Sequence, residues 1–108
     1  MPVAYRRPTK YRAIPTVADG YRFASKKEAA RYGELKLMAR AGEIVGLELQ
    51  PRFPIAVNGV RICAYVGDFQ YIQEGRFVVE DCKGYRTREY QIKKKLVFAV
   101  YGVAILET

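Results

Sequence analysis

Arg76-Phe77-Val78-Val79-Glu80-Asp81-Cys82-Lys83 reads as a strand whose far end carries charge. Successive side chains of a strand point to opposite faces. Phe77, Val79, Asp81 and Lys83 therefore share one face, and Val78, Glu80 and Cys82 share the other. A face that begins with two apolar residues continues into a carboxylate and an ammonium. Gly84 follows, which leaves room for another backbone to come close. A bulge in this strand would exchange Glu80 for Asp81, because it shifts the alternation by one residue.

Immediately upstream, Tyr65-Val66-Gly67-Asp68-Phe69 precedes a short turn near residues 73–75. If the flanking segments pair antiparallel about that turn, Asp68 falls close to the register of residues 80–82. Two carboxylates then meet across neighbouring strands and repel unless a cation lies between them. Hard oxygen donors with room for water suit Mg²⁺ or Mn²⁺. A third carboxylate comes from a helix that starts after Ser25 and runs to about residue 41, with Gly42 closing it. Ser25-Lys26-Lys27-Glu28 has the spacing of a capping box. Tyr32, Leu35 and Ala39 fall within roughly 40° of Glu28 around that helix, so Glu28 sits inside the apolar stripe. Glu34 lies off the stripe and is expected in solvent, and Leu37 falls opposite it. Glu28 can close the box, reach a metal at the sheet edge, or do both.

The remaining segments complete an α/β (α+β) reading. Strands are expected over 43–49, 53–57 and 60–72, the last bent at Gly67, with Asn58-Gly59 as a hairpin turn. Thr87 can cap a second helix over 88–101, ended by Gly102. Ile92, Leu96 and Ala99 have the spacing of its core face. A last strand is expected over 103–106. The order is α-β-β-β-β-α-β, a mixed sheet flanked by two helices.

The 108 residues fit one domain, and half of them are hydrophobic, enough to build a core rather than stay disordered. Residues 20–108 are read as that domain and residues 1–19 as a basic arm. In the arm Arg6, Arg7, Lys10 and Arg12 alternate with Tyr5 and Tyr11 among three prolines, a mixture suited to phosphates and unstacked bases. The formal net charge of +8 points to a polyanionic partner, nucleic acid first. The absence of histidine excludes Ser-His-Asp and Cys-His chemistry. Cys63 and Cys82 form no ligand pair and are expected as free thiols in a reducing cytoplasm. No apolar run approaches the roughly 18 residues of a membrane span, and no apolar stretch follows the early charge as in a secretory signal.

Together, the helix acid, Gly67-Asp68-Phe69, and Val79-Glu80-Asp81-Cys82-Lys83-Gly84 followed by a basic helix resemble the PD-(D/E)XK nuclease superfamily. The chain looks most like small phage-borne members related to Holliday junction resolvases, over roughly residues 20–106. Phe23-Ala24-Ser25-Lys26-Lys27-Glu28-Ala29 and Leu49-Gln50-Pro51-Arg52-Phe53 add to the likeness. The leading proline of the motif is Gly67 here. The resemblance implies a restriction-endonuclease-like core and Mg²⁺- or Mn²⁺-dependent cleavage of DNA in a bacterial cytoplasm. It implies Asp68 and Asp81 as metal ligands, with the Cys82 carbonyl oxygen and Glu28, and Lys83 beside the attacking water. Arg86, Gln91, Lys93 and Lys95 become candidates for contact with DNA. A two-fold junction needs two sites, so a homodimer is expected. The rival expectation is a basic nucleic-acid-binding module without catalysis.

The arm has a direct test. Each phosphate contact contributes a slope of about −0.9 in log K against log salt on duplex DNA. Deleting residues 1–12 removes four cationic side chains and should flatten that slope. An unchanged slope would mean that the arm does not touch DNA.

Overall fold

Asp19-Gly20, Asn58-Gly59 and Glu74-Gly75 each take two successive positive φ angles, and each joins two antiparallel strands. The computed structural model describes residues 15–82 and 86–108. In chain order its elements are β1 (Thr16–Ala18), β2 (Tyr21–Phe23), α1 (Lys26–Arg40), β3 (Val45–Leu49), β4 (Arg52–Val57), β5 (Val60–Val66), β6 (Phe69–Gln73), β7 (Arg76–Asp81), α2 (Arg88–Tyr101) and β8 (Ile105–Glu107). The described residues thus form an α+β fold with two helices. None of their helices is long and apolar enough to cross a membrane. Lys83 and the arm residues Arg6, Arg7, Lys10 and Arg12 lie outside the described residues.

The central sheet has the order β3-β6-β7-β8 and is mixed, with β8 parallel to β7 and the other pairs antiparallel. Its two faces carry two separate cores. On one face Phe69 and Tyr71 of β6 join Tyr32 and Leu35 of α1, with Phe23 and Ile44. On the other, Val79 of β7 and Ile105 of β8 join Tyr90 and Val97 of α2, with Phe53, Ile55 and Tyr65 of the β4–β5 hairpin. Burial on both faces fixes the register, since a slip of one residue would send every side chain to the wrong core.

Three expectations need correction. Residues 60–72 are not one bent strand. The chain leaves the β4 ladder after Val66 and joins the β7 ladder at Phe69. The Gly67 N–H donates to Pro51 O at 2.9 Å, and the Asp68 N–H donates to Glu80 O at 2.9 Å. The segment before Asp19 is not all arm, because Thr16–Ala18 pairs with β2. The core face of α2 keeps Leu96, which packs against the core, but not the other two residues expected of it. Tyr90 and Val97 are buried, whereas Ile92 is 52% exposed and Ala99 is exposed. The helix turns this way because Tyr90 packs its ring beside Tyr65 while its hydroxyl finds a partner on β8.

The α1 helix follows its expected stripe. Glu28, Tyr32 and Leu35 are buried and Leu37 is exposed. Ser25 caps it by accepting from the Glu28 N–H at 3.1 Å. The return half of the box differs, since the Glu28 carboxyl accepts from the Ala24 N–H at 3.4 Å rather than from Ser25.

Gly67 marks the point where the chain changes sheets, and it has no space for a side chain. A Cβ there would lie 3.1 Å from Val79 Cγ1 and 3.4 Å from Pro51 Cγ. Both neighbours are buried and cannot retreat. Gly67→Ala should therefore destabilise the fold by about 1–3 kcal/mol in chemical denaturation. A variant as stable as the parent would show that the crossover has slack.

Candidate active site

The end of β7 brings acids together from three elements. Phe69 and Glu80 are register partners, so Asp68 lies next along, beside Asp81. Asp68 is half-buried, and its Oδ2 accepts from the Cys82 N–H at 2.6 Å. The β7 backbone thus aims this carboxylate from the neighbouring strand. Asp81 is 2% exposed and accepts from the Tyr65 hydroxyl at 2.5 Å. Burial first, and then the bonded Asp81 carboxylate, push the Tyr65 phenol well above its ordinary range. The main-chain oxygen of Asp81 accepts from the Thr108 N–H at 3.1 Å.

Glu28 arrives from the first turn of α1. Burial chiefly, and then the charge of Asp68, push its carboxyl up to about 7. A hydrogen bond to Asp68 and the charge of Asp81 act in the same direction, against the bond from Ala24. Glu28 and Asp68 therefore lie close enough for Asp68 to raise the Glu28 carboxyl, and Asp81 stands within electrostatic reach. Among the described residues, no group of three Asp, Glu, Cys or His side chains already closes around one point. The donor set is nevertheless all hard oxygen, the donor type that Mg²⁺ and Ca²⁺ take.

Glu80 has a different place. The β6–β7 register runs without a shift from Phe69↔Glu80 to Gln73↔Arg76, so alternation holds and Glu80 faces α1. Arg31 grips it with Nε to Oε1 at 2.8 Å and Nη2 to Oε2 at 2.6 Å, and the Tyr71 hydroxyl donates to the same carboxylate. The Arg31 Nη1 reaches Glu34 Oε1 at 2.7 Å. A carboxylate held by a two-pronged guanidinium and a phenol is neutralised by the protein itself.

The α2 side carries a group that sequence reasoning missed. Glu107, the register partner of Asp81, accepts from Tyr90 at 2.7 Å, Lys94 at 3.0 Å and Arg86 at 2.8 Å. The Tyr90 bond first, and the two cations after it, hold the Glu107 carboxyl down at about 2. Arg86 is therefore tethered beside Asp81. Lys93 pairs with Glu89 at 3.2 Å, while Gln91 and Lys95 are exposed. Lys94, rather than Lys93 or Lys95, is the helix cation nearest the acids by its partners. The Glu107 signal was within reach, because a strand extended by one residue makes it a neighbour of Asp81. For Arg31 the signal was its position three residues after Glu28. Cys63 and Cys82 are half-buried free thiols, and burial pushes Cys82 up to about 11.

Residues 8–105 match the family described as "Protein of unknown function (DUF1064)", and the chain belongs to that family. Neither a curated protein nor a solved structure matches the chain.

The two perturbed glutamates act on stability in opposite directions. Glu28 titrates at about 7 when folded and near 4.5 when unfolded, so its favourable protonated form is complete below 4.5. That contribution is lost as pH rises through 7. Glu107 titrates at about 2 when folded, so its contribution is complete above 4.5 and lost as pH falls towards 2. Without divalent metal, stability should peak near pH 5 and decline towards pH 8. Glu28→Gln should abolish the decline between pH 5 and 8 in urea titrations, a gain of up to about 3 kcal/mol at pH 8. A decline that persists in the variant would place its cause elsewhere.

Proposed function

We propose that this member of the DUF1064 family is a metal-dependent endonuclease with a restriction-endonuclease-like core. It hydrolyses phosphodiester bonds in DNA with Mg²⁺ or Mn²⁺. The observation that carries this reading is the meeting of Glu28, Asp68 and Asp81 at one sheet end, in a chain whose net charge is +8. Gathering three acids in a basic protein is costly unless a cation lies among them.

Asp68 and Asp81 would hold the cation, with the Cys82 carbonyl oxygen and Glu28 completing the oxygen set. When bound, the cation polarises a phosphoryl oxygen and lowers the pKa of a water. The protein's own groups do the rest. The Cys82 N–H orients Asp68 and the Tyr65 hydroxyl orients Asp81, so both carboxylates are aimed before substrate arrives. Glu28, its carboxyl pushed up to about 7, would give up its proton to serve as a ligand. Lys83 orients the attacking water and offsets charge on the phosphate. Arg86, Lys93, Lys95, Gln91 and the basic arm hold the flanking backbone. A homodimer acting on branched DNA completes the reading, and the exposed Ile92, Phe98 and Val100 of α2 offer apolar surface for such pairing.

Cleavage of duplex, flap and four-way-junction DNA tests this. Asp68→Ala, Asp81→Ala and Lys83→Ala should abolish Mn²⁺-dependent cutting while DNA binding in chelator persists. Glu28→Gln should lose at least about tenfold in rate, roughly 1.4 kcal/mol in the barrier. Glu80→Gln should lower the melting temperature, since it removes the buried charge that Arg31 pairs with, yet keep the rate per folded molecule. Wild-type cutting by either aspartate variant would overturn the assignment. So would a dead Glu80→Gln beside an active Asp81→Asn. A wild-type protein that binds DNA and never cuts it would be the binding module instead.

A further inference from the structure

A cavity of about 340 Å³ opens on the α1 side of the sheet end, lined by Lys27, Ala30, Arg31, Glu34, Cys82 and Thr108. Its size lies at the lower end of pockets that take a small organic group. Two of its walls are bonded to the acids through their backbone: the Cys82 N–H donates to Asp68 Oδ2 at 2.6 Å and the Thr108 N–H to the Asp81 carbonyl oxygen at 3.1 Å, while Lys27 precedes Glu28. The cavity therefore borders the proposed cleavage site on the face away from Tyr65 and α2.

Its chemistry suits a base more than a phosphate. Arg31 spends its edge on carboxylates, with Nε and Nη2 on Glu80 and Nη1 on Glu34. A guanidinium whose edge is occupied offers mainly its flat faces, and a planar cation stacks on a nucleobase. The three bonds hold that plane still, so stacking costs little further ordering. The Arg31 side chain is 24% exposed, which leaves part of it open. Glu34, 63% exposed at the cavity wall, repels a phosphate but accepts from an N–H group of a base, such as the ring N3–H of thymine. The Cys82 thiol, hydrogen-bonded to the Thr108 hydroxyl at 3.2 Å, adds a soft, uncharged wall. Lys27, at the mouth, can reach the backbone phosphate that leads in.

We propose that this cavity receives one unstacked nucleobase of a single strand, stacked on the Arg31 guanidinium next to the phosphate to be cut. The proposal rests on the nuclease reading and narrows its substrate to DNA with unpaired nucleotides beside the cleavage point. A continuous duplex cannot supply such a base without breaking a pair.

The test uses binding in chelator, so that cleavage plays no part. Fluorescence anisotropy compares the full chain's affinity for a short thymidine oligonucleotide, for an abasic strand of equal length and charge, and for a duplex. The thymidine strand should bind more tightly than the abasic one by at least about fivefold, the lower end of what one stacked base contributes. Ala30→Leu adds bulk to the cavity wall at an exposed helix position that tolerates leucine. It should erase that preference. The control Val60→Ala, at the β4–β5 turn, should keep it. Equal binding of thymidine and abasic strands overturns the base pocket, and so does an Ala30→Leu variant with the parent's preference. If duplex is still bound and cut in either case, the nuclease reading survives without the pocket. If no DNA of any kind is bound, both fail.

Discussion

An unpartnered carboxylate is expensive to bury, and β7 buries Glu80 and Asp81 in succession. Alternation sends them to opposite faces, so one partner cannot serve both. Arg31 and Tyr71 meet Glu80 on the α1 face, and Tyr65 meets Asp81 on the face shared with α2. Each partner belongs to a different element. Satisfying two adjacent side chains thereby ties α1, β5 and β6 to the same few ångströms of β7. Glu28 is three residues from Arg31 on α1, so the ion pair that neutralises Glu80 also sets where Glu28 lies over the sheet end.

The resulting charge pattern has two scales. At long range the protein is cationic, with a formal net charge of +8. At short range its sheet end is acidic, and a phosphate arriving there meets repulsion. Glu107 sits at the boundary between the two. By holding Arg86 and Lys94 beside Asp81, it keeps positive charge within reach of the acids.

Much of this was legible in advance where a residue's role depends on near neighbours. The two-residue turns carry their signal in Asn-Gly, Asp-Gly and Glu-Gly. The Ser25 cap and the stripe through Glu28, Tyr32 and Leu35 follow from helical spacing. The split of β7 into two faces follows from a period of two. What failed depends on distant partners. Residues 60–72 alternate plausibly across Gly67, and the change of sheet is decided by carbonyls of Pro51 and Glu80. On α2 the spacing of Ile92, Leu96 and Ala99 is as helical as that of Tyr90 and Val97. Only Glu107, remote in the chain, makes a tyrosine the better residue to bury. Arg31 was passed over because its partner Glu80 is 49 residues away.

The parallel β8 has a consequence for how the protein is made. Synthesis proceeds from the N-terminus, and β8 is the last of these elements to leave the ribosome. The β6–β7 hairpin can close early, because its partners are adjacent in the chain. The N–H that holds the Asp81 carbonyl and the carboxylate that gathers Arg86 and Lys94 come from residues 107 and 108. The acids therefore gain their final surroundings only when β8 pairs with β7.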